Sequence, residues 1–220
     1  MAQLWRTERD PAVASGGTSG HVVKALLAFA GMGAVTALTR HSGRLSRLDV
    51  AVNGAVRAGR TPPTVTAARR FSAMAEPKAA AAALAAAAAL AARRADWRSA
   101  VIPCAAVAGG MAVRHVLAEA IAQPRPPADG WLTQPKGSSL PSRHTSLAAL
   151  TAGACAISIG APGLARHGAA GLAAAAVGAS RVCLGVHWPT DVLAGWLFAE
   201  GWLHLTEAVL PGGRLRQGST

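Results

Sequence analysis

Six stretches poor in charge punctuate the chain, at about residues 22–39, 78–92, 99–121, 145–160, 163–180 and 190–210. Each is 15–23 residues long, close to the roughly 20 that a helix needs to cross a bilayer. In lipid the backbone must satisfy its own hydrogen bonds, which leaves helices or closed barrels. Continuous apolar runs rather than alternating ones select helices. The expected fold is therefore all-α, a six-transmembrane-helix bundle, multi-pass in the cell (plasma) membrane. The block KAAAAALAAAAALAA (78–92) reads equally well alone as a soluble Ala-rich helix, and its five neighbours assign it to the bundle.

Only 15% of the residues are charged, against the usual quarter, and 51% are hydrophobic. Mean hydropathy is a modest +0.30 because the apolar residue is mostly Ala. The net charge of +12 fits nucleic acid, anionic lipid or a phosphate substrate as a partner. Scattered Lys and Arg with 4% aromatics argue against nucleic acid. Cys104, Cys155 and Cys183 are odd in number and lack CxxC spacing. They are expected as buried apolar thiols, not a disulfide framework or zinc site.

Residues 1–20 are polar and do not resemble a cleaved signal peptide. They are expected as a polar tail, with a membrane domain over 21–210 and a flexible tail over 211–220. Between the first two blocks, Leu45, Leu48, Val50, Val52 and Val56 mix with Arg44, Arg47, Arg57 and Arg60. That pattern predicts a short amphipathic helix on the interface, ended by Pro62 and Pro63. A solvated loop is the alternative. Basic residues fall on both sides in similar number, so they do not assign a membrane face. The Ala/Arg bias and absence of Tyr point to a high-GC bacterial gene and a cell-envelope role.

Three polar clusters interrupt the apolar pattern. In SRVCLGVHWPTD (180–191), Pro189 suits a helix start, which puts Asp191 one turn from His187. The carboxylate then orients the imidazole and leaves its other nitrogen as base or nucleophile. Arg181 suits bidentate phosphate binding. A passive headgroup-binding cluster is the alternative. In LPSRHTS (140–146), Ser142 is expected to cap a helix whose free N–H groups attract anions, and His144 is a candidate general acid. Arg125 lies in QPRPP (123–127). Because successive spans alternate direction, all three clusters fall on one membrane face.

These clusters resemble the type 2 phosphatidic acid phosphatases, whose pocket is shared with vanadium haloperoxidases. The family pattern is Lys-x6-Arg-Pro, Pro-Ser-x-His and Ser-Arg-x5-His-x3-Asp. Ser180-Arg181-x5-His187-x3-Asp191 matches the third part, Pro141-Ser142-x-His144 the second, with Arg143 for the usual Gly, and Arg125-Pro126 the end of the first. Ala118 stands where the family has Lys. Arg143, or Arg114 one turn earlier, is the candidate replacement.

The resemblance, over about 22–210, implies a lipid phosphatase acting on a polyprenyl phosphate, polyprenyl diphosphate or phosphatidate. It implies His187 as nucleophile, Asp191 as its orienting partner and His144 as acid and base. Arg125, Ser142, Arg143 and Arg181 would bind phosphate. No cofactor or metal is implied. No Asp/Glu/His cluster with ligand spacing is evident elsewhere, and His21, His41, His115, His167 and His204 are expected as interface or solvent-facing residues. The alternatives are a headgroup phosphotransferase using the same site and a non-catalytic membrane protein with a decayed one. Oligomeric state is not readable.

Overall fold

Alanine has the highest helix propensity of any residue, and every regular element described is helical apart from one 3₁₀ turn. The computed structural model describes residues 11–41 and 43–210. In chain order the helices are α1 (Pro11–His41), α2 (Gly43–Ala58), α3 (Pro62–Met74), α4 (Pro77–Ala92), α5 (Trp97–Ile121), α6 (Arg143–Ser158), α7 (Gly163–Cys183) and α8 (Pro189–Val209). The expected flexible tail at 211–220 and the first half of the polar tail lie outside the described residues.

α6 is the axis. Residues His144 through Thr151 are buried without a break, and the helix packs on α4, α5, α7 and α8. Its Ser, Ala, Thr and Gly side chains let neighbours approach closely, the rule for helices without a hydrophobic driving force between them. Leu147, Leu150, Phe198 and Leu203 fill the shared core. At the α7–α8 crossing a Cβ on Gly178 would lie 2.2 Å from Val192 Cγ1, so a side chain there would force the two helices apart. α1 lies along the outside of α8. Leu26, Leu27, Val116, Leu164 and Leu172 point outward and are exposed, a surface suited to lipid.

Two helical stretches, Gly17–Arg40 and Trp97–Ile121, are long and apolar enough to cross a membrane. α3 and α4, bent by 54° at their junction, make a third if they act as one span. α6 has 16 residues, about 24 Å of rise. α7 and α8 have 21 each, but α7 carries Arg166, His167 and Arg181, and α8 carries Asp191, Glu200 and Glu207. Six spans are therefore not established by length and apolarity.

The single helix expected between the first two blocks is replaced by two, α2 and α3. Pro62 begins the second helix as well as following the first. Thr61 and Thr64 form a reciprocal cap there, and a proline in the first turn forfeits no helical bond. The cysteines are free, as expected, but only partly buried.

Candidate active site

The three sequence clusters meet at one end of the bundle, around a cavity of about 260 Å³. Its wall carries Arg125, Lys136, Arg143, His144, Arg181 and His187, with Glu76, Pro77 and the 133–135 loop completing it. Four cations and two imidazoles face one carboxylate. A larger apolar groove of about 640 Å³ is lined by α3 alone and holds none of these groups.

His187 is fully buried on the short turn between α7 and α8. Its Nδ1 lies 3.2 Å from Asp191 Oδ2. Its Nε2 lies 3.1 Å from Arg125 Nη1. A guanidinium only donates, so Nε2 accepts and the ring proton sits on Nδ1, against the carboxylate. Asp191 Oδ2 also accepts from Trp188 N at 2.8 Å and from Ser139 Oγ. The imidazole is thus held neutral and oriented, with its reactive lone pair toward the cavity. Burial is the main cause that holds its pKa well below the usual value, and Arg125 and Arg181 add to it.

Arg125 has five N–H groups, and all five are engaged. Nε donates to Gly137 O (3.0 Å), Nη2 to Lys136 O (2.9 Å) and Ser138 O (3.0 Å), and Nη1 to Val186 O (2.7 Å) and His187 Nε2. It ties the 122–142 loop to the turn that carries His187. Only its bond to His187 is exchangeable without loosening backbone.

His144, in the first turn of α6, places Nε2 3.2 Å from Glu76 Oε1. Glu76 comes from the α3–α4 junction. The hydrogen bond from His144 holds the Glu76 carboxyl below its ordinary pKa, so an ionised Glu76 accepts from a neutral His144. Ser142 occupies the N-cap position of α6 but makes no side-chain capping bond. Its Oγ instead accepts from Thr145 Oγ1 at 3.0 Å, which corrects the expected cap and leaves the hydroxyl hydrogen of Ser142 to donate elsewhere. Arg181 donates from Nη1 to Ser72 Oγ at 2.6 Å. Its Nε is buried with no hydrogen-bond partner among the described residues, a costly state for an N–H unless a ligand takes it up.

Arg114 is buried behind this wall. Its Nε and Nη2 both donate to Pro141 O, at 2.8 and 2.5 Å, so it braces the turn before α6 and does not line the cavity. Ala118 is 1% exposed. Of the two candidate replacements for the absent Lys, only Arg143 reaches the cavity wall, and it is joined there by Lys136.

Sequence reasoning missed what α2 and α3 contribute. Asp49 accepts from Thr190 N (3.0 Å) and Thr190 Oγ1 (2.5 Å), capping α8 from outside. Asn53 Nδ2 donates to His187 O at 3.3 Å, and Arg60 to Cys183 O (2.7 Å) and Gly130 O (3.0 Å). Gly185, at φ +78°, brings the His187 turn against Gly130, where a Cβ would lie 2.2 Å from the carbonyl oxygen. A buried-looking Asp and Asn in an otherwise basic segment were the only clue. Asp49→Ala is expected to cost about 1–3 kcal/mol, the range for leaving buried donors unpaired, read as a lower melting temperature.

A model of the PAP2 superfamily matches residues 99–211. The chain belongs to the PAP2 superfamily. The match contains every one of the cluster residues from Arg125 to Asp191, whereas Asp49, Asn53, Ser72 and Glu76 lie outside it. This PAP2 chain is also similar in fold to a solved transmembrane PAP2-type phosphatidylglycerolphosphate phosphatase from Bacillus subtilis. The TM-score is 0.71 at 26% identity, covering 83% of this chain and 92% of that one. No curated protein matches the sequence. PAP2 membership and the apolar helices make the chain a membrane phosphatase.

One expectation about the remaining histidines fails. His115 is exposed as expected, and the His41 side chain lies outside the described residues. His21, His167 and His204, however, gather with Glu200 and Glu207. Helix packing brings α1, α7 and α8 together, and no short sequence spacing records that.

Proposed function

We propose that the protein is a multi-pass lipid phosphatase of the plasma membrane working through a phosphohistidine. The observation that carries this reading is the His187 lone pair, directed at a cation-walled cavity while Asp191 holds the opposite nitrogen. His187 Nε2 attacks phosphorus, and the bond from phosphorus to the lipid oxygen breaks. His144 delivers a proton to that oxygen. It then takes a proton from the water that attacks the phosphohistidine, and the P–N bond breaks to release phosphate. The arriving phosphate offsets the positive charge of Arg181 and Arg143, which raises the proton affinity of His144 when an acid is needed. Arg125, Arg181, Ser142 and Arg143, with Lys136, stabilise the charge on the pentavalent state.

The lipid tail has a surface to lie on. The apolar groove along α3, from Pro62 to Met74, ends two residues before Glu76 of the cavity wall. Six helices, with α2 and α3 partly on the interface, would put the cavity where headgroup and tail separate. Candidate substrates are phosphatidate, polyprenyl phosphate or diphosphate, and the phosphatidylglycerolphosphate of the structural neighbour.

The test is phosphate release from each of these in detergent, beside a soluble aryl phosphate, with quenching in alkaline SDS to trap labelled enzyme. The expected result is preference for one lipid and an acid-labile phosphoenzyme. Activity on no lipid phosphate overturns the reading. Phosphate moved to an added acceptor lipid in place of water would instead identify a phosphotransferase.

Arg143 and Lys136 together stand in for the cation absent at Ala118. Arg143→Gly is expected to lower kcat/KM about 10- to 100-fold, the loss of one charge-assisted contact of about 1.5–3 kcal/mol. Lys136→Ala, at an exposed position, is expected to cost less. Full activity in the double variant removes this role from both.

A further inference from the structure

Between two and a half and four and a half turns beyond Asp191 along α8, roughly 14–24 Å at 1.5 Å per residue, lies a second cluster of ionisable groups that the proposed reaction does not use. His21 of α1, His167 of α7, and Glu200, His204 and Glu207 of α8 meet there. Three of their atoms form a nearly equilateral triangle. His21 Nδ1 is 3.1 Å from Glu207 Oε2, His204 Nδ1 is 3.3 Å from the same oxygen, and the two nitrogens are 3.4 Å apart.

Protons do not satisfy that triangle well. If one imidazole accepts from the other, its Nδ1 has no proton for Glu207. If both donate to Glu207, two N–H groups face each other. A single cation satisfies all three edges at once. Ligands about 2.0–2.2 Å from a tetrahedral ion stand roughly 3.3–3.6 Å apart, close to the observed spacing.

The surroundings already orient the three groups. Arg166 Nη1 holds the other Glu207 oxygen at 2.9 Å, which leaves Oε2 as a one-oxygen ligand. His167 Nε2 lies 3.1 Å from that Oε2, and its Nδ1 lies 2.5 Å from Glu200 Oε2. Glu200 Oε1 accepts from Trp196 Nε1 at 3.1 Å. Outer partners of this kind fix ligand geometry in metal sites. The Glu207 side chain is 3% exposed and that of His21 is 34% exposed, so the site opens on the His21 side.

We propose that His21, His204 and Glu207 form a binding site for one divalent transition-metal ion of the zinc class, which ties α1 to the α7–α8 pair. Two imidazoles and one carboxylate suit such an ion better than the all-oxygen preference of magnesium or calcium. The proposal is independent of the catalytic reading, because the two sites share no residue.

The test uses the untagged full-length protein in detergent, stripped with a chelator and titrated with Zn²⁺ and with Co²⁺. One equivalent of either ion is expected to bind, Co²⁺ with the intense visible bands of a low-coordinate site, and Zn²⁺ to raise the melting temperature. His21→Ala, at the exposed edge, is expected to weaken binding at least 10-fold and to abolish the thermal shift. His204→Ala should do the same if it folds. His115→Ala, at an exposed histidine of α5, should change nothing. Absence of stoichiometric binding, or equal binding by His21→Ala, overturns the proposal and leaves the cluster a proton-linked ion-pair network.

Discussion

Replacing His187 by alanine is expected to lower phosphate release on the order of 10⁴-fold or more, the scale of losing a covalent nucleophile. The fold should survive, because Asp191 keeps its bonds from Ser139 and Trp188 N, and a melting curve checks this. No labelled phosphoenzyme should form. A variant that keeps a tenth of the activity would remove His187 from the role. The wild-type pH profile carries a related expectation. In the proposed mechanism attack needs the neutral ring, and burial first, then Arg125 and Arg181, hold the His187 pKa well below 6.5. The acid limb of kcat/KM should therefore lie well below pH 6.5. In the unfolded chain His187 takes up a proton near 6.5, whereas the folded protein resists it. Its contribution to stability is thus present above about pH 6.5 and lost as pH falls toward the folded value.

Asp191→Asn should be nearly as severe, about 10³- to 10⁴-fold in kcat with little change in KM. The magnitude is that of the corresponding substitution in serine proteases. Asp191 Oδ2 accepts three hydrogen bonds, from His187 Nδ1, Trp188 N and Ser139 Oγ. An amide nitrogen placed there would donate to Nδ1 and drive the ring proton to Nε2, where the nucleophilic lone pair must be. An amide oxygen placed there keeps the tautomer but cannot neutralise the imidazolium that forms on attack. If kcat falls less than tenfold, orientation by Asp191 is not what activates His187.

Much of this site was readable because the chemistry is local. His187 and Asp191 are one turn apart, so spacing alone placed them together. Arg125, His144 and Arg181 sit at helix ends, and alternating span direction put those ends on one side. Glu76, Ser72, Asp49 and Asn53 could not be found that way. They reach the site from α2, α3 and the α3–α4 junction, and their contacts depend on how those helices pack. The same reason hid the cluster of His21, His167 and His204, whose residues come from three helices. The break between α2 and α3 was misread because a proline pair marks a helix start as readily as a stop. The expectation of six spans is not settled by length and apolarity, because α7 and α8 keep the length of a span while burying charge among themselves.

The full engagement of Arg125 has a consequence for turnover. An incoming phosphoryl oxygen can reach its Nη1 only by taking over the hydrogen held on His187, so docking trades one partner for another. Under the proposed mechanism such an exchange would add little grip in the resting complex and reserve the guanidinium for the moment when His187 Nε2 has bonded to phosphorus and no longer competes. On the same reading the liberated dianion would meet the restored competitor and be easily shed, which suits an enzyme whose small product would otherwise linger among four positive charges.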